Sequence, residues 1–357
     1  MRKFSLCLAA FLLFNCCDTV FSAAFNTGDF YLSKPTSVLA VDDDNPAANS
    51  VFIPWLTLGK HRMTFGYTDG YPDSMFLVDD NKISQYGSTG QFIQSWNIGS
   101  TSFGKVDIKS QISSGNTEYI YYLSSMDIIK LNINSGEKTS VRLQDYYWSD
   151  GALLFEINEP GYTDTDYIWA SRPSASEIVK VNLSTGQIVQ SLQKSYHLGS
   201  VYGMDFGYNE DGTTNNYLYA LSDNGWVLKF DITTGTRVAQ TYLGYEFRDL
   251  VTESNSFGAT ENIVVLQSNT NTSGSYNKLY KLDPDDLSIK SIVTNGSVFS
   301  YTGVHVNSME YVPYGWDGFG QYIDPDPTAI PEPCTIALIG LALLFRVSQK
   351  TRNCNNA

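Results

Sequence analysis

Cysteine is missing from residues 25 to 330; all five, Cys7, Cys16, Cys17, Cys334 and Cys354, sit in the two end segments. That excludes a disulfide framework and thiol chemistry from the bulk of the chain. A compartment that oxidises thiols would tolerate such a region without pairing errors. Basic residues are scarce, 23 Lys+Arg against 37 Asp+Glu, for a net charge of −14. A phosphate backbone repels such a chain, so nucleic acid is excluded as its main partner. Long apolar runs occur only at the ends, which excludes a multi-span membrane protein. Charged residues are only 17 % and aromatics 14 %, the reverse of a disordered composition. Histidine is limited to His61, His197 and His305, in no metal-ligand spacing. There is no Ser-His-Asp order, no G-x-S-x-G and no phosphate-binding glycine loop.

What is abundant is the vocabulary of strands and turns. The 24 Tyr and 19 Phe, with many Ser, Thr, Asn and Gly, favour β-structure. One unit recurs: an apolar–Lys–apolar strand, then Asn or Asp, a turn, and another strand. The copies are Ile129-Lys130-Leu131-Asn132, Val179-Lys180-Val181-Asn182, Leu228-Lys229-Phe230-Asp231 and Tyr280-Lys281-Leu282-Asp283. Their lysines step by 50, 49 and 52 residues. Gly90, Gly136, Gly186 and Gly235 close the turns and supply the positive φ that a tight hairpin needs. Each centre follows an aromatic-rich or β-branched strand: Met75–Val78, Ile120–Leu123, Tyr167–Ala170, Tyr217–Ala220 and Ile263–Leu266. Ahead of these, Met63-Thr-Phe-Gly-Tyr67 returns as Met204-Asp-Phe-Gly-Tyr208 and more weakly as Met309-Glu-Tyr311.

Four strands per unit is the blade count of a β-propeller. First strands are expected near 63, 106, 153, 204, 249 and 309. The last has no partners after it; Asp29–Leu32, Ser37–Asp42 and Val51–Leu56 match strands two, three and four of the unit. The expectation is therefore an all-β, six-bladed propeller, with seven blades as the alternative. Its ring is closed by pairing three N-terminal strands with one C-terminal strand, which removes the open edge.

Candidate functional positions follow from that frame. Asp107, Asp205 and Glu310 are expected at one blade position on the first strands, with Thr64 in the first unit. First strands line the central channel, so these acids could bind a cation or activate water. Six-bladed calcium-dependent lactonases work in this general way, which makes calcium the candidate cofactor of an enzymatic alternative; the plainer expectation is solvated or turn-bonded carboxylates and no cofactor. Asp42, and the Asp-rich stretches near 211 and 285, read as turn initiators. The repeated lysines read as solvent-side or edge residues in the third strand of each blade. Trp169, Tyr122 and Tyr219 read as packing between blades at a shared position. Tyr146, Tyr147, Trp148, Tyr314 and Trp316 fall outside the repeated strands and are candidate platforms for stacking sugar rings, whose apolar CH faces they would bury.

The ends read as addresses. Arg2 and Lys3, the apolar run Phe4 to Phe14, and the small residues Ser22, Ala23 and Ala24 form a signal peptide over 1–24. A lipoprotein reading fits poorly, because Asn15 rather than a small residue precedes Cys16. The propeller is expected over 25–320 and a linker over 321–330. From 331 to 357 come Pro331-Glu332-Pro333, an apolar stretch to Phe345 expected to be a short hydrophobic helix, and the basic Arg346, Lys350 and Arg352. This order of motif, span and basic cluster resembles the PEP-CTERM sorting tail of exported bacterial proteins. The resemblance implies inner-membrane anchoring, basic side inward, until an exosortase-like membrane protease cuts near the Pro-Glu-Pro. It also implies a bacterium that makes an exopolysaccharide matrix. Basic residues after an apolar span stay cytoplasmic on independent grounds, leaving the bulk outside. The expected function is a non-catalytic cell-surface or biofilm-matrix component that binds exopolysaccharide or protein. The alternatives are the calcium-dependent hydrolase and an envelope-assembly scaffold whose partners are envelope proteins.

Overall fold

The computed structural model describes residue 25 and residues 29–311, except 35–36, 43–49, 55, 57–61, 70, 80, 100–106, 125, 144–150, 160–161, 173–174, 193–197, 245–246, 256, 269–277 and 294–307. The boundaries expected at 24/25, 320/321 and 330/331 lie outside these residues, as do the Pro-Glu-Pro motif, the apolar C-terminal stretch and the three histidines. No helix long and apolar enough to cross a membrane occurs among the described residues.

Six four-stranded antiparallel sheets form a ring. Blade 1 spans 62–97, blade 2 108–142, blade 3 153–191, blade 4 201–242 and blade 5 247–293. In blade 6 the C-terminal strand Ser308–Tyr311 pairs with Asp29–Lys34, which pairs with Ser37–Asp42 and then Ser50–Pro54. The expected closure by the two ends is therefore present, with Leu32 opposite Met309 on one side and Leu39 on the other. The innermost strands, Arg62–Thr68, Ile108–Ser113, Leu153–Leu154, Val201–Tyr208, Phe247–Ser254 and Ser308–Tyr311, each lie beside the next around the axis. Blade 3 carries an addition that the repeat did not announce, a small hairpin of Ile157–Glu159 and Tyr162–Thr163.

The core is divided among the clefts between blades rather than gathered at one centre. Trp169 of blade 3 packs with Met204 and Phe206 of blade 4. Tyr219 of blade 4 packs with Leu250 and Val265 of blade 5. Leu32 and Met309 of blade 6 pack with Val264 and Leu266 of blade 5. Neither face of a blade is dry alone, so each sheet depends on both neighbours. All three expected packing aromatics are buried, but they do not share one position. Trp169 stands opposite Lys180 and Tyr219 opposite Lys229, whereas Tyr121 stands opposite Lys130. Tyr122, one residue on, therefore faces the other way and packs with Phe76 and Ile108 toward blade 1. Strand side chains alternate faces, so a slip of one residue reverses the cleft a side chain fills.

The repeated lysines also differ from expectation. Each lies on the third strand, as expected, but inside its sheet, with a fourth strand beyond it. Three of them lie over tyrosine rings of the second strand: Lys130 is 3.8 Å from the Tyr119 ring centre, Lys180 is 5.1 Å from Tyr167 and Lys229 is 4.0 Å from Tyr217. Lys180 and Lys281 also pair with Glu156 and Glu253 at 3.0 and 2.9 Å. They serve the blade interior, as ammonium groups held by aromatic faces and carboxylates, and not the outer edge.

Local chemistry explains the turns. Asn132, Asn182 and Asp231 each accept backbone N–H bonds from residues two and three further on, the Asx-turn arrangement. Threonines at the start of the second strand in blades 2 and 5, and in the small hairpin of blade 3, stitch blades together. Thr117, Thr163 and Thr260 accept from the Tyr67, Ile112 and Tyr208 N–H groups of the preceding blade at 2.9, 3.0 and 2.6 Å. Gly186, at φ 71°, has room for no side chain, because a Cβ there would sit 2.1 Å from the Arg142 carbonyl oxygen of blade 2. Gly99, at φ 81°, faces open space. Both substitutions to alanine incur the left-handed backbone strain of about 1–2 kcal/mol. Gly186→Ala is expected to lose several further degrees of melting temperature by pushing blades 2 and 3 apart. Equal losses for Gly186→Ala and Gly99→Ala in parallel thermal scans would refute that inter-blade contact.

Candidate functional site

At the axis, inner strands from several blades bring charged side chains together around a cavity of about 20 Å³, enough for about one ordered water. Its lining includes Arg62, Asp107, Lys109, Asp205 and Asp249. Arg62 opens blade 1 and reaches across to blades 4 and 5. One guanidinium nitrogen donates to the Asp249 carboxylate at 3.0 Å, the other to the Tyr202 carbonyl at 2.7 Å. Both side chains of this ion pair are only 9 % exposed. The Met309 N–H of blade 6 donates to the same Asp249 oxygen at 2.9 Å, and the Leu250 N–H to the other. Asp249 thus ties blade 1, blade 5 and the C-terminal strand of blade 6 at one point.

Asp205 is bonded as fully. One oxygen accepts from the Phe206 N–H and the Tyr208 hydroxyl, at 2.8 and 3.0 Å. The other accepts from the N–H and hydroxyl of Thr252 in blade 5, at 2.8 and 2.9 Å. Asp107 accepts from the Leu153 N–H of blade 3 at 2.7 Å. The three aspartates repeat one device: a carboxylate on one inner strand receives a backbone N–H from the inner strand of the next blade. The inner edge of that next strand is thereby satisfied, which a buried backbone donor requires.

Register separates the expected acidic set. Asp205 stands opposite Tyr219 and Glu310 opposite Tyr31. In blade 2 the residue opposite Tyr121 is Lys109, and Asp107 precedes it by two. Asp107 thus shares its position with Arg62, Gly203 and Asp249, opposite Val78, Leu221 and Leu266. Bulges precede Gly203 and Asp249, and the inner strand of blade 5 lacks the methionine signature, so the sequence pattern does not mark Asp249. Gly203 leaves the space that Asp249 enters: a Cβ at 203 would lie 2.4 Å from its carboxylate oxygen. Among the described residues no three of His, Cys, Asp and Glu gather in a metal-holding group. Tyr146, Tyr147, Trp148, Tyr314, Trp316, Pro331, Glu332, Pro333, Arg346, Lys350 and Arg352 lie outside the described residues. The side chain of Glu310 does too, although its backbone pairs with Tyr31.

Burial sets the electrostatics. It pushes Asp249 up to about 6, with the charge of Asp107 adding to the rise and Arg62, the Met309 N–H and Lys109 pulling down. Burial also raises Asp205, opposed by Lys109, Thr252 and Tyr208. The arrangement mixes two cations with three carboxylates; both oxygens of Asp205 and of Asp249, and one oxygen of Asp107, accept from donors of the chain itself. Chemically it is a lock for the inner ring, with carboxylates of one blade accepting from the inner strand of the next.

No protein-family model matches this chain, and no curated protein matches it either. Solved structures do. A chain of the crystal structure of a nidogen/laminin complex superimposes with a TM-score of 0.53 at 9 % identity, over 79 % of this chain and 97 % of its own length. At that identity the likeness is one of fold alone. With 1269 solved chains matching, the fold is too widely shared to point to an activity. The conclusion that ring, register and comparison carry together is that this chain folds as a six-bladed β-propeller.

Proposed function

We propose that this protein is an exported, non-catalytic propeller that serves as a cell-surface or biofilm-matrix component and binds polysaccharide or protein. The observation that carries the non-catalytic reading is the state of the axial carboxylates. Asp205 receives four donors and Asp249 receives Arg62 and two backbone N–H groups, so the groups that a calcium-dependent hydrolase would need are engaged in holding blades together. Export rests on the sequence: the N-terminal signal over 1–24 and the tail with Pro331-Glu332-Pro333, the apolar stretch, and Arg346, Lys350 and Arg352. In this reading an exosortase-like protease removes the tail, and an acidic body is released outside the cell. Aromatic loop residues Tyr146, Tyr147, Trp148, Tyr314 and Trp316 are the sugar-stacking candidates.

Mass spectrometry of the exported form tests the route. Ends near residues 22–24 and near Pro331 are expected; an intact C-terminus in the secreted fraction would refute tail processing. A glycan array tests the ligand, with loss of signal in Trp148→Ala expected for polysaccharide binding. An array with no hits, together with co-purification of envelope proteins, would favour the scaffold. Calcium-dependent hydrolysis of a lactone by the wild type, abolished in Asp205→Asn, would overturn the non-catalytic reading.

A further inference from the structure

Phe25 stands ahead of the first strand, Asp29–Lys34, and belongs to no sheet. It is nevertheless only 3 % exposed. Its ring lies 5.2 Å from Tyr31, 5.1 Å from Phe52 and 4.9 Å from Phe65, edge-on or tilted in each case. Tyr31 in turn meets Phe52 and Phe65 edge-on at 5.2 and 5.4 Å. Tyr31 comes from the second strand of blade 6, Phe52 from its outer strand and Phe65 from the inner strand of blade 1. With Ile53, Met63 and Met75, the four rings fill the cleft between these two blades. Ring pairs of this geometry add to what the burial of apolar area already contributes. A residue outside every strand is thus a wedge in the seam where the ring closes.

The position of the wedge in the chain gives it a second meaning. The signal peptide read from the sequence ends in the small residues Ser22, Ala23 and Ala24. A cut after any of them leaves Phe25 among the first three residues of the mature chain. Three extended residues span at most about 11 Å, so the bond to be cut lies no further than that from a ring held between two blades. A signal peptidase holds its substrate extended on both sides of that bond, as any groove that takes a peptide in strand form does. A seated Phe25 withdraws one of the two sides.

We infer that seating of Phe25 between blades 6 and 1 shuts the signal-cleavage site, so that the leader is removed only while this cleft is open and a chain that seats Phe25 first keeps its leader. The inference rests on the signal-peptide reading of residues 1–24. The step itself is a hydrolysis. Water adds across the peptide bond, its hydroxyl going to the new carboxyl of the leader and its remaining hydrogen to the new amine of the mature chain. Once the ring is closed, cleavage waits on local opening, and its rate follows the small fraction of chains in which Phe25 has left the box. All four rings lie between residues 25 and 65. The box therefore needs only the early part of the chain, and cleavage competes with its assembly rather than with completion of the whole ring.

The full-length precursor in detergent tests this with purified signal peptidase, added either at the moment of dilution from urea or after refolding is complete. Mass spectrometry reads the rate of cutting near residues 22–24. Refolded wild type is expected to be cut about a hundredfold more slowly than wild type at dilution. Phe52→Ala removes one wall of the box without touching the residues around the bond, and the refolded variant is expected to be cut about tenfold faster than refolded wild type. Phe52 is only partly buried, so the variant keeps its fold, checked by a single thermal transition. Val51→Ala, at the exposed neighbouring position, is expected to leave the protection unchanged. Equal rates for wild type before and after refolding, or for refolded Phe52→Ala and refolded wild type, overturn the inference while leaving the signal peptide in place. A precursor that is not cut near 22–24 even at dilution overturns the signal-peptide reading, and the inference with it.

Discussion

Asp249→Ala is expected to remove about 3–5 kcal/mol of stability, because it leaves the buried Arg62 guanidinium without its counter-charge and the Met309 and Leu250 N–H groups without their acceptor. The pH dependence gives the test a sharper edge. Asp249 is raised by burial to about 6 from an ordinary 3.8. A carboxyl that is more easily protonated when folded loses stability as the pH climbs from about 4 to about 6, since only the unfolded chain has by then released the proton. Wild type carries that loss and Asp249→Ala does not, so the stability gap between them narrows as pH rises through this window. Arg62→Met behaves oppositely. Removing the cation that pulls Asp249 down raises it further, so the variant goes on losing stability above pH 6 and its gap from wild type widens. Urea titrations at pH 4.5 and pH 8 on both variants read the two signs. Gaps that move together, or that do not move, would show that Arg62 and Asp249 are not coupled.

The ring was legible in the sequence because its cause is repeated and local. The alternation in Ile129-Lys130-Leu131, the Asx turn at Asn132 and the glycine at 136 recur together in blades 2, 3 and 4, and each is decided by residues within a few positions of itself. The closing blade was legible for the same reason: Asp29–Leu32 and Ser37–Asp42 carry the unit's pattern without its first strand. The axial lock was not. Arg62 and Asp249 lie 187 residues apart and meet only because the ring brings blade 1 across to blade 5. No methionine marks the inner strand of blade 2, so a first strand counted from 106 places Asp107 beside Asp205, whereas Lys109 stands opposite Tyr121 and Asp107 belongs with Asp249. The lysines misled through burial. An apolar–Lys–apolar strand reads as one wet face, yet here that face is covered by tyrosine rings and carboxylates, as when Lys229 lies over Tyr217 with only 5 % of its surface exposed.

The largest effect is expected at the seam. Leu32 is fully buried in Asp29–Lys34, a strand hydrogen-bonded on both sides, to Ser37–Asp42 and to the C-terminal Ser308–Tyr311. Leu32→Pro deletes a ladder N–H in a central strand, which costs about 3 kcal/mol or more, and empties a leucine-sized space against Val264, Leu266 and Met309, worth about 2–5 kcal/mol. Together these approach the whole stability of an ordinary domain, about 5–15 kcal/mol. Because blade 6 is the only blade built from both ends of the chain, the damage does not stay within one sheet. Blades 1 and 5 each lose the neighbour that covers one face, and the Met309 N–H drifts from Asp249, loosening the axial lock from the other side. The expected result is loss of the cooperative unfolding transition, with amide exchange accelerated in blades 1 and 5 before blade 3. Val51→Pro serves as the control. Val51 is 59 % exposed on the outer strand of the same blade, where a proline already stands at position 54, and a change within about 1 kcal/mol is expected for an edge position of that kind. A Leu32→Pro protein that still unfolds in one transition close to wild type would mean that the ring holds without its clasp.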